Sequence, residues 1–478
     1  MATRPVGDER LTSLAKTLLL AGALVLATSI YSVTNCRAQD TLQLHLHQRG
    51  HWYRDGFLGL SYEAPVLKTN NFSLGNKVYV RLLENLGPGW FRFGGSSVDN
   101  TFWKSVPAGV TGQHDVLNPQ DLLNVLRFAR AIGWKVILGV DLGHFVRAQV
   151  ADEARFAYKH GGSTLKAIEI GNEPDYYHDS GMRPKDYSYT QYRHDYEQCV
   201  AAVKSGAPYV PIAAPAFSFN QKLFRSFVHD ESRTVSLFTF HIYPTGAVHK
   251  PTPAHLSSLQ VAQRTANTAA ALLAITAPTH VSLRIGEMNS AYGGGFEGTS
   301  NVYASALWLA DSLCRFANLG IVGVNLHNGF YGGGYVTIND RNGVFSPAAE
   351  YYGALLYHLG AVGHTVPVSL TSTHNVGAYA GRSTDGTIRI TVINREPVHT
   401  ERLLVHLPAG YQTGVALNLR ARAITSQTHI TIGGASVDLN GRWKPVRAHA
   451  VAVKSGVAVI LVEPLSAQLV TFRRRMKG

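Results

Sequence analysis

Short apolar runs alternate with longer amphipathic stretches between residues 56 and 360, and no other feature restricts the possible folds so strongly. Eight runs read as buried strands, at 57–63, 90–95, 135–142, 167–173, 210–216, 235–243, 280–288 and 320–327. Stretches of helical periodicity separate them, among these 119–132, 146–159, 186–205, 257–275 and 301–318. Leu122, Leu123, Val125, Leu126, Phe128 and Ala129 recur at the spacing of one helix face turned to a core. A last helix, opened by Ser346-Pro347, carries Tyr351, Leu355, Leu356 and Leu359. Eight strands alternating with helices over this length specify a (β/α)8 barrel. An open doubly wound sheet would want a glycine-rich phosphate loop after its first strand, and Gly59-Leu60-Ser61-Tyr62-Glu63 is not one.

Past residue 365 the texture changes to short alternating runs such as Thr387–Val392 and Arg402–Leu407. Turn clusters separate them, including Ser383-Thr384-Asp385-Gly386 and Gly433-Gly434, as in an all-β sandwich. Thr41–His47 alternates in the same way ahead of the barrel and is expected to pair with the C-terminal sheet. The expected fold class is therefore α/β, a TIM barrel with a C-terminal β-sandwich completed by an N-terminal strand. The boundaries are 39–55 for the N-terminal strand, 56–362 for the barrel and 363–478 for the β-domain.

Residues 1–38 differ in kind. Arg4, Arg10 and Lys16 precede an apolar run from Thr17 to Ala27, too short to span a bilayer and built like a secretory leader. Cleavage is expected near Ala38, with Ala27 as the other candidate, and the mature protein is expected to be secreted or periplasmic. Cys36 falls in the leader, so Cys199 and Cys314 remain, and two cysteines in helical patterns read as buried free thiols. The histidines are scattered without the spacing of a zinc site, so no metal or cofactor is expected. The net charge is +13, and loss of four positive and two negative leader residues leaves +11. Such a balance can steer acidic polymers, yet alone it points to no nucleic acid and, once the leader is gone, to no membrane.

Two glutamates stand out within the barrel pattern. Glu173, in Ile170-Gly171-Asn172-Glu173-Pro174, and Glu287, in Ile285-Gly286-Glu287-Met288-Asn289, each end an apolar run. A carboxylate at the mouth of a buried strand costs free energy unless it is used. By strand count they end strands four and seven, at the barrel face where catalytic groups stand. A pair on one side of the mouth suits retaining glycoside hydrolysis, with carboxyl groups about 5–5.5 Å apart.

The chain resembles glycoside hydrolase family 79, the β-glucuronidases and heparanases. The resemblance rests on Arg92-Phe93-Gly94-Gly95, Gly171-Asn172-Glu173-Pro174 and Glu287-Met288-Asn289-Ser290-Ala291-Tyr292-Gly293-Gly294-Gly295. It implies that Glu173 is the general acid/base and Glu287 the nucleophile, that Asn172 bonds the sugar 2-hydroxyl, and that Tyr243 donates to Glu287. Arg92 is a second candidate to hold Glu287 ionised. Tyr292, Gly293 and Gly294 would receive the glucuronate carboxylate, with a tyrosine after strand eight, Tyr335 in preference to Tyr331. Glu63, ending strand one, and Ser96, after strand two, are candidates for sugar hydroxyls.

The partner implied is a glucuronic-acid-containing oligosaccharide, polysaccharide or glycoconjugate, and the activity an exo-acting β-glucuronidase. An endo-acting, heparanase-like enzyme or a relative cutting neutral β-glycosides are the alternatives, with an inactive carbohydrate-binding protein a third. The loop after strand two, with Phe102, Trp103, Pro107 and Pro119, is expected either to wall off the site or to offer a tryptophan to the leaving sugar.

Overall fold

A computed structural model describes residues 40–246, 250–329 and 334–474. The leader expected over 1–38, Cys36 and Tyr331 lie outside them. Eight parallel strands close into a barrel, Leu58–Glu63, Trp90–Gly94, Lys135–Val140, Leu165–Ile170, Ile212–Phe217, Leu237–Ile242, Leu283–Met288 and Val324–His327. Strand eight pairs back onto strand one, Val324 opposite Leu58 and His327 opposite Ser61. Both faces of these strands are buried, between the barrel interior and the surrounding helices, so their sequences are apolar runs rather than alternations.

The helix Pro119–Ala131 shows how local sequence sets the outer layer. A reciprocal capping box between Asn118 and Asp121 opens it, with Pro119 in the first turn. Leu122, Val125, Leu126, Phe128 and Ala129 are buried against the barrel, while Leu123 is only half-buried at the edge of the stripe. Each fully buried side chain of this size contributes about 1.5–3 kcal/mol. The last helix of the barrel runs Ala349–Gly360. Ser346-Pro347 does not open it but ends the hairpin formed by Ile338–Arg341 and Val344–Pro347, so the helix begins two residues later than the proline suggests. Proline has no N–H to give a ladder, and strand ends tolerate it as well as helix starts do.

The C-terminal strands form one mixed sheet that the N-terminal strand Thr41–Leu44 joins, parallel to Glu401–His406 and antiparallel to Val368–Leu370. Its two halves share a core that includes Leu42, Ile390, Val392, Leu403, Ile460 and Val470. Polar contacts lock this layer to the barrel. Arg395 Nη1 lies 2.6 Å from Asp311 Oδ2, the Tyr379 hydroxyl donates to Asp311 Oδ1 at 2.6 Å, and the Tyr303 hydroxyl donates to Leu419 O at 2.9 Å. Cys199 and Cys314 are free and buried, and burial pushes both thiols up in pKa. No described helix is long and apolar enough to cross a membrane.

Candidate active site

The carboxyl ends of the barrel strands surround a cavity of about 850 Å³. Glu287 comes from within strand seven, as its position in the apolar run suggests. Glu173 does not end strand four. The strand stops at Ile170, and Gly171 takes φ +66°, where an added Cβ would meet Leu142 Cβ and the Tyr177 hydroxyl, both at 2.8 Å. Glu173 itself is left-handed at φ +48°, its N–H bonded to Ala216 O of strand five at 3.0 Å. This turn carries the glutamate off the strand and over the mouth. A carboxylate oxygen of Glu173, one of Glu287 and a ring nitrogen of His241 all lie within 4.8 Å of one another.

Glu287 is held on both oxygens. Arg92 Nη1 donates to Oε2 at 2.7 Å, and the Tyr243 hydroxyl donates to Oε1 at 2.6 Å. Burial alone would raise its pKa. The charges of His327, His241 and Arg92, with the Tyr243 bond, outweigh burial and hold the carboxyl far below its ordinary range. Arg92 is fully buried on strand two and spends its guanidinium on the centre. It also donates to Glu169 Oε2 at 2.5 Å, to Ser61 Oγ at 3.0 Å and to Asn172 Oδ1 at 2.9 Å. Because Arg92 takes the Asn172 carbonyl, the amide N–H groups of Asn172 are the end left to donate. Burial opposes the Arg92 charge, but Glu169 and Glu287 keep it firmly protonated.

His241, on strand six, places Nδ1 2.8 Å from Glu173 Oε1, and its Nε2 is buried without a partner. His327, ending strand eight, bridges two carboxylates, with Nδ1 3.6 Å from Glu287 Oε2 and Nε2 3.5 Å from Glu63 Oε1. Burial disfavours its charge, and Glu287 and Glu63 outweigh burial to raise its pKa. Glu63 accepts from the backbone and hydroxyl of Ser97, and its own pKa is lowered by His327 and Ser97 against the effect of burial.

The remaining sequence candidates converge on the same cavity. Ser96, Tyr243, Tyr292, Gly293, Gly294 and Tyr335 all line it with Glu63, Glu173 and Glu287. Gly293 and Gly294 have φ of +78° and +87°, and Tyr335 donates its backbone N–H to Gly294 O at 3.2 Å. The Tyr335 ring stacks on Tyr243 with centroids 6.2 Å apart. Phe102 and Trp103 do not reach the cavity. Thr101–Trp103 pairs with Asp115–Leu117, both aromatics are buried, and Trp103 Nε1 donates to Asp152 at 2.6 Å. The loop after strand two therefore neither walls the site with these residues nor offers a tryptophan to a sugar.

Several residues at the centre carry no role in the sequence reading. His327 ends an apolar run just as Glu287 does, and Glu169 is a charge inside one, so the same signal marks both. His241 stands two residues before Tyr243, but its contact with Glu173 shows only in three dimensions. Two groups of the described residues have the spacing of a cation site. They are Glu173, His241 and Glu287 at the mouth, and His374, His399 and Glu401 in the β-domain. At the mouth the Arg92 guanidinium already neutralises Glu287, which suits proton transfer and nucleophilic attack better than a cation. In the β-domain His374 Nδ1 lies 3.1 Å from Glu401 Oε2, a direct pair.

Residues 138–314, which contain both glutamates, match the model of the glycosyl hydrolase family 79, N-terminal domain. A β-glucuronidase of Aspergillus niger is 24% identical over 261 residues, 49% of this chain and 48% of that protein. The chain thus matches about half the length of that curated relative. The solved 4-O-α-L-rhamnosyl-β-D-glucuronidase of Fusarium oxysporum 12S superposes with a TM-score of 0.75 at 19% identity, covering 88% of this chain and 97% of that one. A family 51 arabinofuranosidase of Xanthomonas axonopodis pv. citri superposes with a TM-score of 0.67 at 15% identity, covering 91% and 100%. At these identities the superpositions speak for a shared fold. The segment that matches the family 79 model is the one that holds Glu173 and Glu287, and over about half its length the chain is a distant homologue of a β-glucuronidase.

Proposed function

We propose that the protein is an exo-acting retaining β-glucuronidase that releases terminal glucuronic acid through a covalent glycosyl-enzyme. The observation that carries this reading is the opposition of Glu173 and Glu287, with oxygens within 4.8 Å and only Glu287 gripped by a guanidinium and a phenol. A carboxylate held ionised is a nucleophile, and the facing carboxyl group, open to the cavity, is the acid.

Glu287 attacks the anomeric carbon while Glu173 protonates the departing glycosidic oxygen. Glu173, now ionised, then takes a proton from water, which displaces Glu287 with a second inversion. Asn172, oriented by Arg92, is placed to donate to the 2-hydroxyl, a bond that strengthens as positive charge builds on the ring. For the sugar carboxylate, Gly293 and Gly294 supply unhindered backbone beside the hydroxyls of Tyr292 and Tyr335. The distant relation to a β-glucuronidase supports the same sugar. The cavity volume suits the end of an oligosaccharide or glycoconjugate.

Two measurements test the reading. Turnover of 4-nitrophenyl β-glucuronide should exceed that of the β-glucoside, and glucuronate-bearing oligosaccharides of known linkage should yield free glucuronic acid, first formed as the β-anomer. Faster turnover of the glucoside, internal cleavage as the main event, or an α-anomer as first product rejects the sugar, the mode or the mechanism respectively.

A further inference from the structure

We propose that Tyr176 and Phe219 form a leaving-group subsite that grips a neutral aglycone by a flat apolar face and disfavours anionic chains. The inference rests on Glu173 being the acid in the reading above. It adds what the acid's side of the cavity is built to hold.

Most aromatic rings around the catalytic centre are buried or hydrogen-bonded into it. Tyr176 and Phe219 are exceptions, 44% and 58% exposed, and both line the cavity. Their ring centroids are 6.1 Å apart, and Phe219 meets Tyr292 edge-on at 6.2 Å. Large apolar surface left facing a cleft marks a place where a ligand covers it. Sugar rings and aryl groups both present such a face.

The position of the pair assigns its side. Tyr176 is three residues past Glu173 in the short turn Pro174–Tyr176, and its N–H bonds to Glu173 O at 2.8 Å. A general acid must lie beside the departing oxygen, so its own turn borders the departing group. Phe219 is tied to the same turn. The half-buried carboxylate of Asp175 accepts from the backbone N–H groups of Ser218, Phe219 and Asn220 at 2.9–3.2 Å. Acid and platform are thereby fixed to one another before substrate arrives, which lowers the ordering cost of binding.

Charge narrows the aglycone. The carboxylates of Glu63, Glu173, Asp175, Asp179 and Glu287 line the cavity, and among the described residues no lysine or arginine does. Lys185 approaches Asp179 only from outside the cavity, at 3.5 Å and largely exposed, where such pairs contribute little. His178 and His327 also line it but are paired with Asp179, Glu63 and Glu287, so a sulfated or uronate-rich leaving chain would meet this acidic rim with no lysine or arginine to receive it.

The test compares aryl with methyl leaving groups on whichever β-glycoside the wild-type protein cleaves. Phe219→Ala and Tyr176→Ala should each lower the ratio of kcat/KM for the 4-nitrophenyl over the methyl glycoside about five- to tenfold, and Phe219→Trp should restore it. Equal losses on both leaving groups overturn the subsite. Wild-type kcat/KM should also be at least about tenfold higher for a neutral than for a sulfated leaving sugar at low ionic strength. Equal or faster cleavage beside the sulfated sugar overturns the charge argument. Cleavage of aryl glucosides without aryl glucuronides would reject the sugar assignment while leaving the platform ratio measurable, so the two failures are distinguishable.

Discussion

Replacing Tyr243 with Phe removes one oxygen from the catalytic centre and keeps the ring that stacks on Tyr335. What disappears is the 2.6 Å bond to Glu287 Oε1. A hydrogen bond to an ionised group is worth about 1.5–3 kcal/mol, equivalent to about one to two pKa units. Glu287 keeps Arg92 at 2.7 Å on its other oxygen, so its pKa rises without reaching the ordinary carboxylate value. The sign follows from linkage. A carboxyl whose pKa is depressed in the fold contributes stability above its unfolded pKa, and that stability is lost as pH falls through the folded pKa. Tyr243→Phe shrinks this contribution, so stability at neutral pH should fall by about 1.5–3 kcal/mol, and the deficit should fade towards acid. The acid limb of kcat/KM should move up by about one to two pH units, because Glu287, the proposed nucleophile, protonates earlier. Denaturant unfolding and pH–rate profiles on an aryl glycoside measure both. A double-mutant cycle with Glu287→Gln isolates the pair, and its coupling should exceed about 1 kcal/mol. An unmoved acid limb together with coupling below about 0.5 kcal/mol would refute the role given to this bond.

Glu287→Gln should reduce turnover by more than about 10³-fold while the protein still binds product in a calorimetric titration, and near wild-type activity would end the proposed mechanism. Glu173→Ala should accumulate a glycosyl-enzyme with an activated aryl substrate, visible by intact-mass spectrometry, since attack then outruns hydrolysis; a single unmodified species under turnover speaks against it. Asn172→Ala should cost several kcal/mol of transition-state binding, read as a drop in kcat, and the drop should vanish on a 2-deoxy substrate. Trp103→Phe should lower stability by about 1–3 kcal/mol and leave KM within about twofold, because Trp103 is buried against Asp152 rather than against substrate; a large rise in KM contradicts that placement.

The barrel was legible because parallel strands flanked by helices must be apolar on both faces, which leaves eight uninterrupted runs in the sequence. The structural strands fall within or beside all eight, from Leu58–Glu63 to Val324–His327. Glu287 was legible for the complementary reason, as a charge that no buried strand end keeps without use. Its position on strand seven follows from counting. Glu173 was found by the same signal but misplaced by three residues, because nothing local announces that Gly171 turns the chain left-handed and ends the strand early. Trp103 shows the opposite error. An aromatic in a long loop after a barrel strand reads as a binding residue, and only pairing of its strand with Asp115–Leu117 buries it.

Local sequence thus determined the elements, their order, and the two carboxyl groups on which the proposed chemistry depends, since periodicity and the cost of a stranded charge are properties of short segments. The closed barrel decided the rest. It brought Arg92 of strand two, His241 of strand six and His327 of strand eight to within 4 Å of carboxylates from strands one, four and seven or the turns beyond them. It also set Phe219 beside Tyr176, across a turn held by Asp175. Contacts between residues so far apart in the chain have no signature in either segment alone, because the energy that selects them belongs to the pair and exists only once the strands have closed.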